Sequence, residues 1–357
     1  MDNQNEQSEH VEWMDMNPAN RCEPVREFET YLKEWIVNQA PAVEALSETY
    51  QIFKARLFPK GKPIRSMLFL GPTGCGKTHA VLTASEVIHG DPYSAIKIDC
   101  AEFQHSHEIS KLVGSPPGYL GHRETPPLFA QDRIERHHRP ERDITFIIFD
   151  EIEKASDTLW QLLLGILDKA TLTLGDNRKV DFTNCVIVMT SNLGAREMSA
   201  AAGEGNPLGL APTPSFDQSQ ASMSRIGIEA ARRHFSPEFM NRLDKVVVFN
   251  PLEKEALRKI VDLELLHVQE RIIQTGNFFE LRCSDAVKDF LLDIGFERRY
   301  GARPLKRAIE THLIVPISNL ISTKQVRADS ILMADMAEDG KTIKFRLGFR
   351  VAAARAL

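Results

Sequence analysis

Gly71-Pro72-Thr73-Gly74-Cys75-Gly76-Lys77-Thr78 decides the fold of this chain. The apolar run Met67–Leu70 precedes it, and a helical pattern, Thr78–Ile88, follows it. Strand, glycine-rich loop and helix in that order separate a phosphate-binding loop from a chance match to G-x-x-x-x-G-K-[ST]. The glycines let backbone N–H groups turn inward around a phosphate, and the helix N-terminus adds partial positive charge. Lys77 can reach the β- and γ-phosphates of a nucleoside triphosphate, and the Thr78 hydroxyl can ligate Mg²⁺.

Thr145–Phe149 is an unbroken run of apolar, β-branched and aromatic residues, as expected of a parallel strand buried on both faces. It ends in Asp150-Glu151. Carboxylates at the C-terminal end of such a strand sit where open α/β sheets bind ligands. Asp150 is therefore placed to hold the Mg²⁺, and Glu151 to orient and deprotonate an attacking water. Two acidic helix-start residues would be the plainer reading, but the phosphate-binding loop favours hydrolysis.

The remaining chain fits that frame. Apolar runs at Ala95–Ile98, Val186–Thr190 and Val246–Phe249 alternate with helical patterns such as Leu159–Leu167, which predicts a doubly wound parallel sheet with helices on both faces. A largely helical pattern spans Glu27–Leu57 and breaks at Pro41, whereas Ala200–Ser222 reads as an exposed loop. After Pro251 come two strongly helical segments (Glu253–Thr275, Ala286–Ile294), a further helix and two short strands, Ser330–Leu332 and Thr342–Leu347. A domain boundary is expected near Pro251. The first twenty residues are acidic, with no Lys or Arg before Arg21, and read as a disordered tail or a docking segment.

Composition excludes several classes. A formal net charge of −5 over 357 residues argues against nucleic-acid binding by bulk electrostatics. Five scattered cysteines form no CxxC pair, and no apolar run approaches membrane-spanning length, so a soluble protein of the reducing cytoplasm is expected. His105, His107, His137 and His138 lack supporting cysteines or carboxylates and read as solvated histidines. The arginines Arg346, Arg350 and Arg355 read as a solvated or ring-packing tail. Cys75, beside Lys77 at a helix N-terminus, is either a reactive thiol or a tolerated small residue.

Longer motifs point to one family. Lys111–Gly121, Asp150–Ala155, Met189–Gly194, Phe235–Asp244 and Tyr300–Leu305 resemble, in order and spacing, the Clp-type AAA+ unfoldases, closest to the second ATPase ring of ClpA and ClpB. The resemblance runs from about Leu32 to Leu347 and, with no second phosphate-binding loop in the chain, is to a free-standing single-ring member. It implies a large AAA+ domain over 26–250 and a small C-terminal α+β lid over 251–349, and composition leaves an acidic, disordered tail over 1–25 and a tail over 350–357.

The resemblance also implies roles. Asn192 corresponds to the sensor of the γ-phosphate or water, Arg303 to the second sensor on the lid, and Arg242 to the arginine finger donated to the next subunit of a six-membered ring. The alternative for Arg242 is a salt bridge with Asp244. Nucleotide contacts fall to Gly71 through Thr78, to Asp150 and Arg303, and to Ile36 and Val37, with adenine against Ile36–Gln39. Where the family usually has glycine before Gln39 stands Asn38, which tolerates left-handed geometry. Tyr119, with Leu120, resembles the loop that grips a protein substrate in the ring pore. His122–Pro127 and Arg133–Arg142 depart from the family pattern. Leu208-Gly209-Leu210 is similar to the tripeptide by which some members dock a ClpP-like peptidase, and autonomous remodelling is the default reading.

Overall fold

The computed structural model describes residues 14–115, 127–199, 216–296 and 302–349. Tyr119, Leu120, Leu208–Leu210, Arg350 and Arg355 lie outside the described residues. The strands of the first unit are β1 (Arg65–Leu70), β2 (Ile96–Asp99), β3 (Thr145–Asp150), β4 (Thr171–Thr173), β5 (Lys179–Asp181), β6 (Cys185–Ser191) and β7 (Lys245–Val248). Five of them form one sheet in the order β2-β3-β6-β1-β7, and every pairing in it is parallel. All five strands therefore end on the same edge, which collects the loops that follow β1, β3 and β6.

Alternation along the strands explains why both faces are covered. Met67 and Phe69, Phe146 and Ile148, and Val186 and Val188 join one buried cluster with the helices Glu23–Trp35, Ala40–Lys54 and Lys77–His89. Leu68 and Leu70, Ile147 and Phe149, and Ile187 and Met189 face the other way, onto the helices Asp157–Lys169 and Phe216–His234. A strand buried on both sides needs no polar face, so the runs read as continuous apolar stretches. β4 and β5 form a separate antiparallel hairpin that the sequence reading did not anticipate; its six residues are too few to show a period.

Two boundaries differ from expectation. The helical stretch before β1 breaks at Ile36–Gln39, and Pro41 sits in the first turn of the second helix, where its missing N–H costs nothing. The first helix starts at Glu23 and buries Val25, within the segment read as a tail. The loop expected over Ala200–Ser222 is overturned from Phe216 onward, because the helix Phe216–His234 begins there. That segment is polar on average, and it is Met223 and Ala231, packed into the core, that anchor it.

The C-terminal unit has its own core. β8 (Glu280–Cys283), β9 (Ser330–Met336) and β10 (Ile343–Phe349) form a sheet in the order β10-β9-β8, antiparallel between β10 and β9 and parallel between β9 and β8. The helices Lys254–Gln274, Asp285–Gly295, Arg303–Ile309 and Val315–Ser322 bury Leu257, Val261, Leu291, Leu305 and Ile317 in a cluster that also takes Leu332 and Ala334 from β9.

Gly295 marks the tightest helix contact there: a Cβ at this position would stand 2.8 Å from Leu305 Cα and 3.2 Å from Ala308 Cβ. Gly295→Ala must therefore push the Arg303–Ile309 helix outward. We expect a loss of about 1–3 kcal/mol, read by urea unfolding of the C-terminal unit; an unchanged midpoint would show that the two helices separate freely.

Candidate nucleotide-binding site

The edge where β1, β3 and β6 end opens into a cavity of about 320 Å³ that reaches across to the C-terminal unit. Thr73 to Thr78 form its floor, Asp150, Glu151, Thr190, Ser191 and Asn192 one wall, and Ala302 and Arg303 the far side. The loop backbone is what the glycines permit: Gly74 has φ 75° and Gly76 φ 100°, where a side chain would be strained. Gly76 caps the helix Lys77–His89, so that helix's free N–H groups open toward the cavity. Lys77 Nζ donates to the carbonyls of Gly71 and Pro72, each at 2.8 Å, and so lies along the loop.

Asp150 is the most heavily engaged group of the site. Its Oδ1 accepts from Thr78 Oγ1 at 2.9 Å and from Thr190 Oγ1 at 2.5 Å, and its Oδ2 meets Lys97 Nζ at 2.8 Å. Burial pushes the carboxyl up, but the hydrogen bonds from Lys97, Thr190 and Thr78 outweigh it and hold Asp150 below the usual range. The Thr190 hydroxyl in turn accepts from the Glu151 backbone N–H at 3.2 Å. Glu151 adopts a left-handed φ of 57°, a conformation that non-glycine residues hold only when their surroundings impose it. Its carboxylate pairs with Lys154. The Asn192 backbone N–H is tethered to Glu153 Oε1 at 3.4 Å.

The opposite end of the cavity is apolar and aromatic. Trp35, Ile36 and Val37 face Leu252, Ile260 and Leu263 across it. Trp35 stacks on His267 of the C-terminal unit, ring centroids 5.0 Å apart. Asn38 takes φ 58°, the left-handed geometry anticipated for it. The buried Gln39 amide donates to the carbonyls of Cys75 (3.3 Å) and Asn250 (2.9 Å), while its oxygen accepts from Asn250 N–H at 2.9 Å. One side chain thus joins the phosphate-binding loop to the junction between the two units. The Ala302 N–H donates to the Gly74 carbonyl at 3.4 Å, which brings Arg303 to the loop from the other side.

The donor set suits a hard divalent cation. Thr78 Oγ1 and an Asp150 carboxylate oxygen stand together at the phosphate end of the cavity. Mg²⁺ characteristically takes one or two carboxylates with substrate phosphates. Among the described residues no group of three or more His, Cys, Asp or Glu forms a metal cage. The histidines singled out in the sequence are spread between separate contacts: His105 stacks on His107, His137 lies 3.6 Å from Asp91, and His138 bonds Thr145.

Residues 62–246 match the family described as AAA domain (Cdc48 subfamily), and residues 252–334 match the C-terminal, D2-small domain, of ClpB protein. This chain belongs to the Clp family of AAA+ ATPases. It is 36% identical over 324 residues to the chaperone protein ClpB 1 of Parasynechococcus marenigrum, covering 91% of this chain and 35% of that protein. It is 35% identical over 315 residues to the heat shock protein 100 of Trypanosoma brucei brucei, covering 88% and 34%. Among solved structures it resembles a closed-state cryo-EM reconstruction of Hsp104 with ATPγS and FITC casein, with TM-score 0.73, 28% identity, and 91% and 52% of the two chains covered. The chain thus spans about a third of the length of the curated relatives it matches.

Of the residues that the Clp resemblance singles out, Ile36, Val37, Thr73 to Thr78, Asp150, Glu151, Asn192 and Arg303 come together around one cavity. Arg242 is not among its lining residues. Its guanidinium pairs with Asp168 at 2.5 Å and Glu238 at 2.9 Å. Asp244, the alternative partner, instead accepts from Ser66 N–H and Oγ. Lys97, Thr190, Trp35 and His267 were missed by sequence reasoning. Only Lys97 carried a signal, a charge between the two isoleucines of β2.

Cys75 requires a correction. Neighbouring Lys77 and a helix N-terminus suggested a thiolate, yet the side chain is buried, and burial pushes its thiol up more than Lys77 pulls it down. A thiol with a raised pKa stays protonated, and unreactive, through neutral pH. In the native chain at pH 8, iodoacetamide is expected to label exposed Cys22 while leaving Cys75 intact until the protein unfolds. Peptide mass spectrometry that finds Cys75 labelled as fast as Cys22 would restore the reactive-thiol reading.

Among the described residues no helix is long and apolar enough to cross a membrane.

Proposed function

We propose that this chain is an ATP-hydrolysing motor that remodels proteins in the cytoplasm, assembling as a ring of six copies that threads polypeptide through its pore. The observation that carries the reading is the convergence of Lys77, Thr78, Asp150, Glu151, Asn192 and Arg303 on one cavity shared by both units. Lys77 binds the β- and γ-phosphates, and its positive charge offsets the charge that develops there. Thr78 and Asp150 would hold Mg²⁺, which neutralises the phosphate oxygens when bound. Glu151 orients a water and takes its proton. Asn192 hydrogen-bonds that water or the γ-phosphate, while Arg303 carries the nucleotide's state to the C-terminal unit. Ile36 and Val37 pack against the base.

Arg242 completes the site of the neighbouring copy. Its place outside its own chain's cavity, in the turn that follows the short helix Pro237–Met240, supports action in trans. Tyr119 and Leu120 grip the substrate, and an aromatic side chain holds a peptide without reading its sequence. The related Hsp104 structure that contains casein supports a protein substrate. The matched relatives are named as chaperones, which supports release of the product over delivery to a ClpP-like peptidase through Leu208-Gly209-Leu210.

Glu151→Gln is expected to keep ATP affinity within a few-fold while turnover falls about 10²–10⁴-fold, because an amide cannot take the water's proton. Arg242→Ala should be comparably inactive, and mixing the two variants should restore part of the activity. Full ATPase activity from a species that light scattering finds strictly monomeric would exclude the shared site.

Tyr119→Ala should leave basal hydrolysis near the wild-type rate but remove its stimulation by unfolded casein. Casein stimulation that survives the substitution would reject the threading role.

A further inference from the structure

Both oxygens of Asp150 are already committed, to three donors from three different elements. Thr78 opens the helix after β1, Lys97 lies in the middle of β2, and Thr190 lies near the end of β6. A divalent ion that takes Asp150 must therefore approach among these donors, and the one that carries a positive charge opposes it. Thr78 is itself an oxygen ligand and remains beside the ion. Thr190 is fully buried and is also the acceptor of the Glu151 N–H, so moving it would disturb the catalytic loop. Lys97 is the one donor free to leave: its side chain is 46% exposed, against 13% for Asp150, and its four-carbon stem can swing toward solvent.

Two cations cannot share this carboxylate at short range without strong repulsion. We propose that Lys97 is the resident counter-ion of Asp150 and is exchanged for the divalent ion, so that the metal enters together with the nucleotide's phosphates and not ahead of them. The proposal rests on reading the cavity as the ATP–Mg²⁺ site. With Lys97 in place, the negative charge that would attract a free divalent ion is neutralised. Incoming phosphates supply the charge and the extra oxygen ligands that make the exchange favourable. Lys97 thus acts as a positioning residue: it keeps the carboxylate paired and oriented between turnovers.

The test is a titration of the nucleotide-free full chain with Mn²⁺ as a paramagnetic substitute for Mg²⁺, followed by electron paramagnetic resonance. Lys97→Met should bind Mn²⁺ on the order of tenfold more tightly than wild type, since a repelling charge has gone. Lys97→Arg should retain the wild-type affinity, and adding Asp150→Asn to Lys97→Met should erase the gain. Lys97→Gln serves the same purpose if the methionine variant does not fold, as judged by circular dichroism. Mn²⁺ affinity unchanged by removing Lys97, or a gain that persists without the Asp150 carboxylate, overturns the proposal. Binding of a fluorescent ADP analogue is measured on the same samples. If wild type binds no nucleotide, the ATP-site reading itself fails; if nucleotide binds and the Mn²⁺ titration ignores Lys97, only the exchange fails.

Discussion

The carboxylate of Asp150 is the point on which the site is built. It gathers hydrogen bonds from the helix after β1, from β2 and from β6, while sitting at the end of β3. Those donors can meet only if the parallel strands end on one edge in the order β2-β3-β6-β1-β7. A buried carboxylate without them would be costly and would take up a proton. The same bonds that make its burial tolerable therefore fix the relative heights of four elements. Thr190 extends this order one step further by holding the Glu151 N–H, which keeps the residue after Asp150 in its left-handed conformation.

A second constraint acts across the cavity. Gln39 ties the phosphate-binding loop to Asn250, immediately before the chain enters the C-terminal unit. Ala302 returns from that unit to bond Gly74, and Trp35 stacks on His267 above the apolar end. Contacts of this kind are individually modest, about 0.5–1.5 kcal/mol for a hydrogen bond or an aromatic pair. Their placement matters more than their size. The last two span the two units at the cavity's rim, so a ligand that fills the cavity must alter or reinforce them, and the position of the C-terminal unit becomes linked to occupancy.

The architecture was legible because its signals are local or periodic. The glycine-rich loop, the buried runs of β1, β3 and β6 and the long helices of the C-terminal unit announce themselves within a few residues. The helix Phe216–His234 and the β4–β5 hairpin did not, because the first is anchored by tertiary packing and the second is only six strand residues with a turn. Within the site, the loop, Asp150 and Glu151 were readable from motif and strand context. Lys97 and Thr190 were not, since their importance lies in which neighbour they face across the sheet, and strand order is not written in any one segment.

Cys75 shows the same division from the other side. Its sequence neighbours, Lys77 and a helix N-terminus, favour a thiolate, but the fold buries it beneath the loop and desolvation reverses the outcome. By itself the sequence determined the glycine-rich loop between strand and helix, the parallel α/β class and the acidic pair at the end of β3, because each depends on residue types at short spacing. Tertiary structure alone decided which side chains share the Asp150 carboxylate, which partners hold Arg242, and how the C-terminal unit closes the cavity. Those depend on distances between segments far apart in the chain, and such distances exist only once the sheet has assembled.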